Sequence, residues 1–447
     1  MDDYRQITTE LCDFISRSPS CYHVINNVKQ LLEAAGFKQL KEDTHWNLSS
    51  GTSYYVTRND SSLIAFSLPA GEIYNYQIIA SHCDSPSFKI KENPEIPQDG
   101  GYIKLNVEKY GSPLFAPWFD RPLGIAGRLV IEENGTLKTQ LVDTKRAVAM
   151  IPSLAIHMNR KVNEEASYKV QTDMLPLFGD GSSAASFREV IADAAAVSPN
   201  QILGSDLFLY DRSAPSFWGA DEEYFSCQKL DDLQNVFASV KVLTASAKNE
   251  SDEILPDARQ LTICCIFDNE EVGSRTKQGA DSTFLSDVLE RIAFSLEMSP
   301  EDRKVLLSRS FMISADNGHA VHPNHPEKAD PVNRPVLNGG VVIKHSAAQK
   351  YTSDAVSAAI FRSICRRAEI PTQEFTNHSD NLGGSTLGNI SSAHVSIPSV
   401  DIGCPQLAMH GPYETSGIKD TYYMIKAMEA FYRTLIYKDP DSGYSLK

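Results

Sequence analysis

The sequence predicts an α/β sandwich with a mixed, largely parallel sheet, interrupted by a β-rich inserted domain. Short apolar runs rich in Ile, Val and Phe recur along the chain, as buried strands do. Amphipathic helical patterns lie between them, the alternation expected of a sheet covered by helices. One stretch, from about Glu92 to Asp221, breaks that alternation with Pro, Gly and turn signals.

The chain opens on MDDYRQITTELCDFISRSPS, a helix with Ile7, Leu11, Phe14 and Ile15 on one side and without the basic start and apolar core of a signal peptide. The run Tyr76-Gln-Ile-Ile-Ala-Ser81 reads as a buried strand. Pro94, Pro97, Gly100, Gly101, Gly111, Pro113, Pro117 and Pro122 then mark the insertion, which continues in the strand-like Gly127-Arg-Leu-Val-Ile-Glu132 and the turn Asn134-Gly135. Beyond it, Asp232 to Ala245 sets Leu233, Val236, Phe237, Val240 and Leu243 on one helical face. Leu261 to Phe267 is a second buried strand, in which Cys264 and Cys265 act as small hydrophobes. Ser310 to Ser314 and His394 to Ile402 are further strands; Ser353 to Arg367 and Thr421 to Tyr437 are further helices. At roughly 150 residues per domain, 447 residues predict two or three domains. The insertion makes it two: 1–91 joined with 222–447, and 92–221.

The balance of 42 basic against 57 acidic residues gives a formal charge of −15, which opposes capture of a nucleic acid backbone or an anionic bilayer. It attracts divalent cations and the ammonium end of a peptide, and serves solubility alone equally well. No run approaches the roughly 18 apolar residues of a membrane span. The eight cysteines contain no Cys-x-x-Cys pair, so neither a disulfide scaffold nor a redox motif is expected, and the compartment is read as cytoplasmic.

Acidic residues and histidines gather at the ends of the strand patterns or in the first turn beyond, where open α/β sheets place their ligands. They are His82 and Asp84 in SHCDSP, Asp231 in QKLDDLQN, Glu270 and Glu271 in FDNEEVGS, Asp316 in SADNGHAVHPN, and His410 in AMHGPYE. Imidazole and carboxylate oxygen suit zinc and its neighbours, and a carboxylate between two ions can bridge them. Each fragment alone has an ordinary reading as a surface loop or, for Asp231, a helix N-cap. Their order and spacing together point to a two-metal site.

The chain resembles the aspartyl aminopeptidase family of dinuclear zinc metallopeptidases. SHCDSPSFKIK, WFDRPLGIAGRL, IPSLAIHMNR, KLDDLQNVF, FDNEEVGS, SADNGHAVHPN, VVIKHS and AMHGPYE carry the resemblance, in order along nearly the whole chain. It implies that the insertion is a dimerisation domain and that the protein forms homodimers or, as in several members, tetrahedral dodecamers. It implies two divalent metal ions per subunit, zinc first, with cobalt or manganese able to use the same ligands. By the resemblance His82 holds one metal and His410 the other, Asp231 bridges them, Glu271 and Asp316 complete the two spheres, and Glu270 is the general base. Asp84, two residues past His82 on an extended strand end, can point to the same side and hold the imidazole tautomer.

The resemblance also places Lys344 in the substrate pocket, opposite an acidic first side chain; a lysine snorkelling from a strand end is the alternative. It sends His157 from the insertion into a neighbouring subunit's active site, against the plain reading of a structural histidine. Pro323 and Pro326 keep His319, His322 and His325 from aligning on one helix, so they are not expected as ligands, and His322 is the one expected at the substrate. Ser385 lies in a Gly-rich loop that can offer N–H groups to an anion; the Gly-Lys-Ser/Thr run of a Walker A loop is missing. HSDNLGGSTLG lacks the cysteine, and KLDDL the RLDNL form, common among relatives, which leaves acidic, neutral and hydrophobic N-terminal residues open as the preference. The expected activity is removal of the N-terminal residue from peptides. The alternatives are an amidase or deacylase acting on N-acylated amino acids, and a non-catalytic oligomeric scaffold.

Overall fold

The computed structural model describes residues 2–182, 185–248, 259–381, 383–439 and 443–447. Its largest sheet has nine strands in the order Lys38–Leu40, Ser53–Arg58, Ser62–Ser67, Gln260–Phe267, Asn75–His82, Phe311–Ala315, Ser399–Gly403, Val341–His345 and Thr372–Thr376. The four strands from Gln260–Phe267 to Ser399–Gly403 are mutually parallel, with antiparallel neighbours further out. Their C-terminal ends therefore share one edge. Phe267 stands opposite His82, and Ser314 opposite Ala80.

These strands are buried throughout and largely apolar because both faces are covered. Ile79, Cys264 and Ile266 point into a core with the helices Asp2–Ser16, Cys21–Ala34, Leu230–Lys248, Ala355–Arg367 and Asp420–Arg433. Ile78, Ala80, Ile263 and Cys265 point the other way, against Phe284–Ser295 and Pro300–Arg309. Cys264 and Cys265 thus fill opposite cores, as period-two alternation requires. Among the described residues no helix is long and apolar enough to cross a membrane.

A second sheet is built from residues 87–211. Its six antiparallel strands run in the order Thr136–Asp143, Leu123–Glu133, Ile202–Asp211, Ser87–Pro97, Tyr102–Tyr110 and Leu177–Asp180. Phe88, Trp118, Leu129 and Ile191 form its separate core with the helix Phe187–Ala195. The sheet starts at Ser87, ahead of the composition change at Glu92. After Asp211 the chain returns to the first unit: Ser216–Trp218 and Tyr224–Cys227 join Glu414–Gly417, Pro405–Leu407 and Gly318–His319 in a five-stranded sheet.

Two elements are shorter than their apolar patterns. The strand expected from His394 begins only at Ser399, because Pro398 supplies no N–H and the residues before it turn out of the helix Leu387–Ser391. The helix expected to reach Tyr437 stops at Arg433; Thr434 is extended, and Ile436–Asp439 pairs with Gly443–Leu446 as a hairpin.

At Gly127 the inserted sheet admits no side chain, since a Cβ there would stand 1.9 Å from the main-chain oxygen of Asp206. Gly127→Ala must spread the neighbouring strands Leu123–Glu133 and Ile202–Asp211. It is expected to destabilise the sheet by about 3 kcal/mol, read as an earlier urea transition in circular dichroism.

Candidate active site

The shared strand edge gathers the acidic and histidine side chains around a cavity of about 430 Å³. His82 ends the strand Asn75–His82 and is buried. Its main-chain N–H donates to Asp232 Oδ2 (3.2 Å). Its Nδ1 lies 3.1 Å from the main-chain oxygen of Asp84, an atom that can only accept, so Nδ1 carries the hydrogen. Nε2 faces Asp231 Oδ1 at 3.5 Å. Burial disfavours a second hydrogen on the ring, but Asp231 and Asp84 outweigh it and raise the His82 pKa, so Nε2 carries a proton where no cation takes its place and offers a lone pair where one does.

Asp231 and Asp232 stand at the start of the helix Leu230–Lys248 with non-helical backbone angles, joined by a cis peptide bond. The Asp231 carboxylate lies at the cavity. Its second oxygen, Oδ2, lies 3.5 Å from His410 Nε2, so one carboxylate faces two imidazoles. His410 is fixed in the same manner as His82, with Nδ1 3.1 Å from the carbonyl of Ser112.

Glu270 and Glu271 lie in a single 3₁₀ turn, Glu270–Val272, entered through Asn269 at φ 62°. Glu271 Oε2 is 3.4 Å from His410 Nε2, and the Glu270 side chain lines the cavity. Asp316 follows the strand Phe311–Ala315 directly, and its Oδ1 lies 3.6 Å from Lys344 Nζ. Lys344, only 3% exposed, is the one lysine or arginine among the described residues lining the cavity.

Burial, reinforced by Asp316, Asp84 and Asp231 and opposed by His82, pushes the Glu270 carboxyl up to about 8. Glu271 is raised by burial and then by Asp231, and Asp316 by burial against the pull of Lys344. Asp231 moves the other way: burial would raise it, but His410 and His82 outweigh burial and hold it below the ordinary carboxylate range. One lysine is too little positive charge for this many buried acids.

Donor chemistry answers whether a metal fits. His82, Asp231, Asp232 and Asp316 each offer an atom within 4.8 Å of the others'; so do His82, Glu270 and Glu271, and so do Asp231, Glu271 and His410. Among the described residues, Asp231 Oδ1 and Glu271 Oε1 are buried atoms without a hydrogen-bond partner. Carboxylate oxygens facing imidazole nitrogens are balanced either by a proton on each ring or by a cation between them, and the two unpartnered oxygens are open to a cation as well. The residues present fit divalent metal binding.

Several side chains carry more than their sequence suggested. Asp84 not only flanks the imidazole; its Oδ1 accepts from Glu270 N and its Oδ2 from Glu271 N, both at 3.1 Å. Glu414 accepts from Asp231 N (3.0 Å) and His410 N (2.7 Å), fixing two prospective ligands at once. Asp232 and Glu414 sit inside quoted motifs, yet nothing local marks them for these contacts. His319 lines the cavity, whereas His322 and His325 line an adjoining cleft. Gly384 and Ser385 form part of the cavity wall. His157 is exposed in a turn of the inserted unit, away from this chain's own cavity lining.

Residues 14–432 match the family model described as aminopeptidase I zinc metalloprotease (M18). A probable M18 family aminopeptidase 2 from Clostridium novyi is 45% identical over 435 residues, covering 96% of this chain and 98% of its own. A protein of the same description from Pseudomonas aeruginosa is 38% identical over 440 residues, covering 96% and 98%. Among solved structures, a chain of the Ape4 and Nbr1 complex superposes with a TM-score of 0.91 at 32% identity, covering 96% of this chain and 86% of its own. The S. cerevisiae mApe1 dodecamer gives 0.82 at 28% identity, covering 96% and 97%. The chain belongs to the M18 family of zinc metallopeptidases and is an aminopeptidase.

Proposed function

We propose that the protein removes single N-terminal residues from peptides at a site holding two zinc ions, one between His82 and Asp316, the other between His410 and Glu271, with Asp231 shared. One observation supports this reading above the rest: the two oxygens of Asp231 face different imidazoles, each at 3.5 Å. Bound there, the two cations supply Lewis acidity to the scissile carbonyl and to the attacking water.

The chain's own groups do the rest. Glu270 belongs to the same turn as Glu271, but among the described residues its carboxylate accepts no hydrogen bond, and it faces the cavity. A carboxylate left out of ligation can take the proton of the attacking water and return it to the leaving amide nitrogen. Asp84 holds that turn by its main chain, so the base is positioned from behind and its side chain stays in the cavity. The surplus of carboxylates over Lys344 favours the ammonium end of a peptide, which an N-acylated substrate lacks. Lys344 and His319 in the cavity wall support an acidic first residue as the preferred one.

Residues 92–221 serve in this reading as the dimerisation unit, and His157 as its contribution to a neighbouring subunit. Leu154, Ile156 and Met158 around it are 55%, 46% and 73% exposed, an apolar rim suited to burial by another copy. Similarity to the mApe1 dodecamer supports a dodecamer built from six such dimers; the reading places it in the cytoplasm, which the eight free cysteines suit.

Glu270→Gln is expected to keep its metal by elemental analysis and to lose about 10²- to 10⁴-fold in kcat; normal turnover would refute the base. N-acetylated substrates should remain intact where the free-amine forms are cleaved. Calorimetric titration of chelator-treated protein should show two zinc equivalents and a raised melting temperature, and Asp231→Asn should forfeit both. Lys344→Ala should erase a preference for Asp and Glu over Leu and Ala in a kinetic panel.

A further inference from the structure

Three consecutive residues of the inserted unit touch the catalytic centre. Tyr110 ends the strand Tyr102–Tyr110, and the chain then passes through Gly111 to Ser112 in the cavity wall. The Tyr110 hydroxyl donates to Asp84 Oδ2 at 2.7 Å and accepts from Asn269 Nδ2 at 2.8 Å. It therefore grips both supports of the glutamate turn: the carboxylate that holds Glu270 N and Glu271 N, and the left-handed residue through which the turn is entered.

Gly111, at φ +71°, lies flat against that turn. A Cβ at this position would stand 3.2 Å from Glu271 Cβ and 3.3 Å from the Glu271 main-chain oxygen. Only glycine combines this backbone angle with so close an approach. Ser112 then gives its carbonyl to His410 Nδ1, which turns the Nε2 lone pair toward Asp231 and Glu271.

We propose that Tyr110, Gly111 and Ser112 are positioning residues of the reaction, setting the base Glu270 through Asp84 and the ligand His410 through its tautomer. The inserted unit thereby completes the active site of its own chain, beside any role in assembly. The inference rests on the reading of Glu270 as the base. A side chain that acts only through the turn should alter the chemical step more than substrate binding, because small displacements of a catalytic group cost rate.

The test uses the full-length, metal-loaded protein. Tyr110→Phe is expected to lower kcat about 10- to 100-fold while KM stays within about twofold and bound metal is unchanged. Asn269→Ala should do likewise, and the double variant should lose less than the product of the two single losses, since either change removes the hydroxyl–amide contact between them. Gly111→Ala should surrender its metal to a chelator at lower concentration than wild type. The proposal is overturned if Tyr110→Phe keeps its kcat and shifts only the melting temperature, if the Tyr110 and Asn269 losses multiply, or if Tyr110→Phe loses metal, which would place its effect at His82. Glu270→Gln, assayed alongside, separates the two ideas. A fully active Glu270→Gln removes the base reading; an inactive one beside a normal Tyr110→Phe removes the clamp alone.

Discussion

Carboxylates buried at one edge of a sheet are the constraint on which the rest of this structure depends. A buried anion is tolerated only when donors or cations meet its oxygens, and the acids here divide by how that is done. Asp84, Asp232 and Glu414 are met by main-chain N–H groups and side-chain donors. Asp231 and Glu271 each keep a buried oxygen with no such partner. The first set faces backward into the protein and fixes geometry; the second faces the imidazoles, where zinc chemistry belongs. The sheet makes this division available by ending four parallel strands together, so that residues remote in sequence meet without any long side-chain reach.

Much of this was legible in the sequence, for definite reasons. Parallel strands buried on both faces are largely apolar, and the runs Ile78 to Ala80 and Ile263 to Phe267 exposed Asn75–His82 and Gln260–Phe267 and with them the ends where His82, Glu270 and Glu271 lie. The face of Leu233, Val236 and Val240 exposed the helix after Asp231. What stayed hidden depends on contacts that no local period encodes. Glu414 is an unremarkable glutamate until the five-stranded sheet brings it beside Asp231. Tyr110 reads as one more aromatic in a strand until its hydroxyl meets a carboxylate from the other unit. Spacing alone also could not say that His319 enters the cavity while His322 opens onto the neighbouring cleft.

The inserted sheet is more than an appendage, since the end of its strand Tyr102–Tyr110 meets the glutamate turn and its strands form ion pairs at the junction. Asp206 takes Lys89 and Arg128, and the Arg128 guanidinium also donates to the Asn59 carbonyl and lies 4.4 Å from the Tyr22 ring centre. Charged hydrogen bonds of this kind fix orientation as well as contributing stability. A junction fixed so close to Glu270, the proposed base, ties the geometry of the site to the relative placement of the two units.

The position of one strand also sets an order of events during synthesis. Gln260–Phe267 lies between Ser62–Ser67 and Asn75–His82, two strands made long before it. Those two are not paired with each other, so on the ribosome the central sheet waits with a gap until the later strand emerges. The six-stranded sheet has no such debt, because all its strands fall within residues 87–211. A nascent chain can therefore close the inserted unit first, and the metal centre, which needs His410, is assembled onto a partner that is already folded.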